Sequence, residues 1–259
     1  VLDGTYEIGG KEITGRHSAC CNDGKVVLDG TPYNEVELVP TDLANCSFEL
    51  VGVTIGVNFH WERKENQRFK GALKLMCQQS AVTAINVLPV EDYLQSVISS
   101  EMSATSSLEL LKAHAVISRS WLLAQIYKEK SDDATDEVAD ECADSCDEVI
   151  KWYDREDHLD FDVCADDHCQ RYQGITRETT DAVRDAVDAT RGQVLMYDGR
   201  LCDARFSKCC GGVYEEFENC WEPVHHPYLE ACRDGENEAD FPDLTKEEAA
   251  ADWIMSSPR

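Results

Sequence analysis

Residues 88–123 read LPVEDYLQSVISSEMSATSSLELLKAHAVISRSWLL. Pro89 suits a first helical turn, where its missing N–H costs nothing, and Glu91 and Asp92 suit the positive start of a helix. From there Leu94, Val97, Ile98 and Met102 fall on one apolar side, and Glu101 lies on or beside that side near the helix's end. A second helix follows. Ser106 or Ser107 can cap it, and Leu108, Leu111, Ala115, Leu122 and Ile126 lie near one face. Partial burial raises a carboxyl pKa by penalising the charged form, and the negative end of a helix pushes the same way. A glutamate protonated near neutral pH is a general acid. The plainer alternative for Glu101 is a surface carboxylate whose apolar neighbours face elsewhere. Lys112 and Arg119 are seven apart and share a face of the second helix, with His114 and Ser120 beside it. They are either two fixed cations for a polar or anionic ligand, or ordinary surface charge.

Working outward, residues 1–88 read mostly as β. KVVLDG, EVELVP, FELVGVTIGVNFHWE and AVTAINVLP are rich in Val, Ile and aromatics and are broken by Gly, Pro, Asn and Asp. VTIGVNFHWE partly alternates, and His60 and Trp61 are expected in it as packed strand residues. Downstream, TTDAVRDAVDATRGQ reads as a third helix. Thr179 or Thr180 caps it, Ala182, Val183, Ala186 and Val187 form its inner side, and Gly192 stops it. VLMYDGRLCDARF is a hairpin on an Asp198-Gly199 turn, and Gly211-Gly212 mark another turn. LTKEEAAADWIMSSPR reads as a last helix. No internal repeat is visible.

The chain has 259 residues, enough for a substantial core. Its formal net charge of −27 makes it a poor nucleic-acid binder, since there is no excess of cations to replace counterions on phosphates. Anionic membrane surfaces should repel it as well. No run approaches the ~20 apolar residues of a membrane span. The chain begins at Val1 rather than Met and shows no secretory leader, an absence that says little about its location. Residues 129–167 hold 17 Asp and Glu against three Lys and Arg. Within them, 131–148 should be a solvated loop with little regular structure.

There are 13 cysteines, an odd number, so at least one is unpaired, metal-bound or shared between chains. His158, Cys164 and Cys169 are spaced H-x5-C-x4-C, with His168 beside the last Cys. Imidazole and thiolate are zinc ligands, and three protein ligands would leave a fourth position open. One disulfide plus a surface histidine is the alternative. Cys142 and Cys146, in the acidic stretch, read as a disulfide or a thiol pair.

The run at 88–123 resembles the signature of the SpoIID family, peptidoglycan lytic transglycosylases of sporulation whose relatives include amidase-enhancer LytB proteins. Leu88, Pro89, Glu91, Tyr93, Val97, Glu101, Met102, Leu111, Lys112, Ala113, Ala115, Val116, Arg119, Ser120 and Trp121 carry the likeness. His114 stands where the family often has Gln. HCQRYQG (168–174), AVDATRGQVLMYDGRLCDARFSKCCGG and CWEPVHHPYLEAC are similar to later family segments, so the likeness covers about residues 80–233. It implies that Glu101 is the catalytic acid and base in cleavage of the bond between N-acetylmuramic acid and N-acetylglucosamine, with 1,6-anhydro ends as product. It also implies that Lys112 and Arg119 hold glycan or shape the cleft, with Gln170, Tyr172 and Ser207 on the opposite wall. Gln170 and Tyr172, two apart, would share a face if they lay on a strand. Zinc at His158, Cys164 and Cys169 fits some relatives. The implied partners are peptidoglycan glycan strands, preferably stripped of stem peptides, or, for a non-enzymatic activator, a cell-wall amidase. A metal-dependent hydrolase is a further rival.

The resulting expectation is an α+β chain. A β-rich region at 1–85 leads into a SpoIID-like catalytic domain at 86–259, with helices on a mainly antiparallel sheet and an acidic loop at about 129–168. Its place is outside the cytoplasm, whether periplasmic, secreted or at the cell surface.

Overall fold

The computed structural model describes residues 1–56, 60–127, 158–165, 168–178, 180–207, 210–234 and 246–256. The expected acidic loop at 131–148, with Cys142 and Cys146, lies outside them. The chain forms two units. The first comprises Val1–Tyr127 and His158–Ala204, the second Lys128–Asp157 and Arg205–Arg259. The fold is α+β, with helices and a curled antiparallel sheet.

Ten strands open the first unit: β1 (Leu2–Ile8), β2 (Lys11–Gly15), β3 (Ala19–Asn22), β4 (Lys25–Leu28), β5 (Thr31–Tyr33), β6 (Glu35–Pro40), β7 (Ser47–Ile55), β8 (Arg63–Phe69), β9 (Ala72–Gln78) and β10 (Ala81–Val87). The main sheet runs β10-β9-β6-β1-β7-β8, with β2 added to β1. β1 joins its halves, pairing with β7 at Leu2 and Asp3 and with β6 at Tyr6 and Glu7. Between those pairings its register shifts at Gly4, whose φ of +92° suits a residue without Cβ. The Cys46 side chain fills the space a Cβ would need. The bulge bends β1, and the sheet curls around it. β3, β4 and β5 form a small separate sheet, tied to β9 by the Cys21–Cys77 disulfide.

The helices are α1 (Val90–Glu101), α2 (Leu108–Ile126) and α3 (Asp181–Ala189). Leu94, Val97 and Ile98 of α1 are fully buried, as expected from their spacing. Each such side chain contributes roughly 1.5–3 kcal/mol of transfer free energy. α1 is covered more widely than one stripe, because Tyr93, Gln95, Ser96 and Ser99 are buried as well. Two of the polar members bond within the protein: Ser99 Oγ donates to the Gln95 and Ser96 carbonyls, and Ser96 Oγ accepts from Gln173 N. Pro89 sits at the N-cap, one position ahead of the expected first turn. Ser107 caps α2 by accepting from Leu110 N. Leu111, Ala115 and Leu122 of α2 are buried, whereas Leu108, in the first turn, is exposed. α3 buries Val183, Ala186 and Val187 completely. Thr180 occupies its N-cap, but its hydroxyl donates to the Ala104 carbonyl instead. These residues join the strand interiors in one core.

Five further elements complete the described chain. A short 3-10 helix, Gly174–Arg177, lies on β8, with Arg68 N donating to Thr176 Oγ1 at 2.9 Å. β11 (Met196–Tyr197) and β12 (Arg200–Leu201) form the expected hairpin, with positive φ at both Asp198 and Gly199. In the second unit, α4 (Phe217–Cys220) and α5 (Glu247–Ser256) flank an Arg205 guanidinium over the Trp221 ring and a Trp253 indole that donates to the Gly211 carbonyl. No helix among the described residues is long and apolar enough to cross a membrane.

β7 ends earlier than its sequence suggests. His60 is exposed in a turn rather than packed in a strand, and the half-buried Trp61 ring lies over Gly56, which has no side chain to obstruct it.

Candidate active site

Glu101 is the last residue of α1 and is half-buried. Its Oε1 accepts a 2.7 Å hydrogen bond from the Arg171 backbone N–H, 70 positions away in sequence. Among the described residues, Oε2 makes no hydrogen bond. One oxygen is therefore fixed by the protein, and the other carries no hydrogen bond among the described residues.

The donor belongs to the segment after Cys169. Residues 170–173 form no strand, yet Gln170 and Tyr172 are both buried. Their shared direction comes from side-chain anchors rather than from a pleat. Tyr93 Oη donates to Gln170 Oε1, and Gln170 Nε2 reaches the Ser118 carbonyl. The Tyr172 ring stacks on Tyr93 at 5.0 Å, and its hydroxyl donates to Asn86 Oδ1. Burial pushes the Tyr172 phenol far above its ordinary pKa, so this hydroxyl stays a donor. The Tyr93 phenol is also raised, chiefly by burial, with the Cys169, Tyr172, Cys164 and Glu101 charges adding to it. Arg171 itself turns outward over the Trp61 ring, 5.1 Å from its centroid.

The two expected cations have different surroundings. Lys112 pairs with Glu109 at 2.8 Å, one helical turn away and exposed. Arg119 is 1% exposed. It grips Glu91 with two bonds, Nη2 to Oε2 at 2.6 Å and Nε to Oε1 at 3.1 Å, and gives Nη1 to the Gln193 carbonyl. The guanidinium thus ties α2 to the start of α1 and to the turn after α3. Ser120 adds to this tie by accepting from Leu195 N. Ser207 is exposed and belongs to the second unit.

His158, Cys164, His168 and Cys169 lie together. The four donor atoms lie within 4.8 Å of one another. Cys169 Sγ is 3.4 Å from His158 Nε2 and 3.4 Å from His168 Nδ1, and Cys164 Sγ is 3.9 Å from His168 Nδ1. Two thiols and two imidazoles are a donor set that zinc takes readily. The sequence contains a sign of the fourth member, C-x3-H-C, which stands beside the three-ligand spacing. The Arg171 amide has no such sign.

A helix-terminal carboxylate held by a neighbouring His/Cys segment, on an α+β framework, is the class of site these residues define. Residues 78–197 match the SpoIID family, described as Stage II sporulation protein. The chain is 29% identical over 161 residues to an uncharacterized protein of Brachyspira hyodysenteriae, covering 62% of this chain and 36% of that protein. It is 26% identical over 156 residues to Stage II sporulation protein D of Bacillus subtilis, covering 60% of this chain and 41% of that one. The chain thus spans about two fifths of the length of these relatives. The match to this family supports a cell-wall-related role.

Proposed function

We propose that the protein is a peptidoglycan lytic transglycosylase that acts outside the cytoplasm, with Glu101 as its single acid and base. The observation that carries this reading is the Glu101 carboxyl, with Oε1 fixed by the Arg171 N–H and Oε2 without a hydrogen-bond partner among the described residues. In its acid form Glu101 protonates the glycosidic oxygen as the C1–O bond of N-acetylmuramic acid breaks. The resulting carboxylate takes the proton of the sugar's own C6 hydroxyl, whose oxygen closes on C1 to give the 1,6-anhydro ring. No water is consumed, and the carboxyl ends as it began. A hydrolytic glycosidase uses two carboxyl groups with space for water or a covalent bond. Here the partner of Oε1 is an amide, which holds the group without competing as an acid.

Other residues support this work. Gln170 and Tyr172 brace the segment that carries the amide. Arg119 holds the helices that present Glu101. Lys112 is a candidate for glycan contact once it releases Glu109. His158, Cys164 and Cys169 would hold zinc, whose bound form crosslinks thiolates and imidazole into one rigid segment. Glycan stripped of stem peptides is the favoured substrate, since the chain's net charge of −27 opposes anionic peptides.

Mass spectrometry of products from purified glycan strands, with and without stem peptides, tests this reading. Wild type should give products one water lighter than hydrolysis does, and Glu101→Gln should give none. Hydrated products would point to a water nucleophile. If wild type cuts neither substrate, a non-enzymatic activator of a cell-wall amidase takes the first place.

A further inference from the structure

Arg171 sits beside the candidate acid with its charge unmatched. The chain holds 51 Asp and Glu against 24 Lys and Arg, and Arg63, Arg68, Arg119, Arg177, Arg184 and Arg191 each pair with a carboxylate. Arg171 is half-buried and makes no ion pair among the described residues. Its guanidinium rests instead over the Trp61 ring, 5.1 Å from the centroid and inside the ~6 Å range of a cation–π contact. The Trp61 ring is itself seated on Gly56, where a Cβ would overlap three of its carbons. An arginine that rests on an aromatic face keeps the edge of its fork, and those N–H donors match a carboxylate in two parallel bonds. The backbone N–H of the same residue holds Glu101 Oε1 at 2.7 Å. The guanidinium is thus tethered within one arginine side chain of the acid.

We infer that Arg171, seated on Trp61, is a specificity-determining residue that recognises the free lactyl carboxylate of the muramyl sugar at the cut bond. The inference rests on the lytic reading of Glu101 and adds a subsite to it. Muramic acid differs from glucosamine by a lactyl ether on C3. In intact strands the lactyl carboxyl is an amide to the stem peptide and carries no charge. In stripped strands it is a carboxylate, on the same sugar whose C1–O bond breaks at Glu101. The net charge of −27 opposes any anionic strand at long range. Charges more than about 8 Å away are largely screened at physiological salt, so the nearest fixed cation decides at the subsite. Trp61 and Gly56 both lie outside the segment matched by the family, so the seat of the guanidinium comes from the β-rich region of this chain.

Calorimetric titration of the full chain carrying Glu101→Gln, which should bind strands without cutting them, tests this. Three ligands are compared: stripped strands, stripped strands whose lactyl carboxylates are capped as methyl amides, and intact strands with stem peptides. Stripped strands should bind roughly 10–100-fold more tightly than capped ones, the worth of hydrogen bonds to a charged group. Intact strands should bind as capped ones do. Adding Arg171→Gln should abolish the preference, while the backbone N–H at that position is kept. Arg171→Lys should restore only part of it, because a point charge lacks the fork. Trp61→Leu should weaken it by freeing the guanidinium, and Arg191→Gln, at an exposed pair with Asp188, should leave it whole. A purely structural contact between Arg171 and Trp61 would change the affinity for free and capped strands alike. Equal binding of those two by the Glu101→Gln protein, or a preference that survives Arg171→Gln, would overturn the inference. Intact strands that bind as tightly as stripped ones would assign the carboxylate to the stem peptide and overturn it too. Failure to bind any of the three would sink the glycan reading, and this inference with it, whereas equal binding of free and capped strands leaves that reading standing.

Discussion

Removing Glu91 should cost far more stability than removing any exposed carboxylate. The Glu91 side chain is 16% exposed and that of Arg119 is 1% exposed. Their two hydrogen bonds, at 2.6 and 3.1 Å, form a bidentate clamp. In Glu91→Ala the guanidinium would stay buried with only the Gln193 carbonyl to accept from it. Breaking a buried pair from one side costs about 3–5 kcal/mol, because the surviving charge is left uncompensated. At about 2–4 °C per kcal/mol for a domain of this size, the melting temperature should fall by roughly 6–20 °C. Glu109→Ala provides the contrast. That carboxylate is 81% exposed in its pair with Lys112, and exposed pairs are worth about 0–1 kcal/mol. Urea unfolding followed by tryptophan fluorescence would measure both variants. The double variant Glu91→Leu with Arg119→Met should lose much less than the two single changes combined, since it leaves no charge behind. The reasoning fails if Glu91→Ala falls within about 1 kcal/mol of wild type, or costs no more than Glu109→Ala.

Two other perturbations probe the frame around the site. Gly174 has φ of +60°, and a Cβ there would overlap the Arg68 carbonyl, so Gly174→Ala should lose stability beyond the ~1–2 kcal/mol of left-handed backbone strain. Gly24→Ala, with φ of +74° in open space, should show that strain alone, and equal losses in urea unfolding would contradict the packing argument. The Cys21–Cys77 disulfide spans 56 positions, which the chain-entropy model values at about 4 kcal/mol. Unfolding with and without reductant should differ by about that amount, and an unchanged midpoint would show that the bond adds nothing to stability.

The parts of the fold legible in the sequence were those governed by local periodicity. Leu94, Val97 and Ile98 marked α1, and Val183, Ala186 and Val187 marked α3, because their spacing matches the helix repeat. The Asp198-Gly199 turn was legible because two positive φ values select that dipeptide. β8 was not. Its sequence, RKENQRF, carries no β-branched residue, and only Gln67 and Phe69 are buried, so tertiary pairing with β7 overrides its composition. β9, ALKLMCQ, has the Leu and Met content of a helix and is a strand because β6 and β10 pair with it. The residue type of Arg119 was legible, and its role was not. Sequence spacing put Lys112 and Arg119 on one helical face, but which of them meets a buried Glu91 depends on how α1 packs against α2.

The bond to Glu101 has a different kind of invisibility. Its donor is the backbone N–H of residue 171, and every residue except proline offers one. Nothing about arginine at that position announces the contact. The Arg171 side chain instead faces Trp61, a separate interaction with its own constraint. What selects position 171 is the placement of the chain, which follows the His/Cys cluster and is held downstream by Tyr172 on Asn86 and Gln173 on Ser96. Those anchors are side chains with identifiable chemistry, and most of them appear in the sequence as candidate site residues. The readable motif therefore marks the scaffold of the donor, while the contact to the carboxylate is made by the one group that sequence cannot vary except by proline.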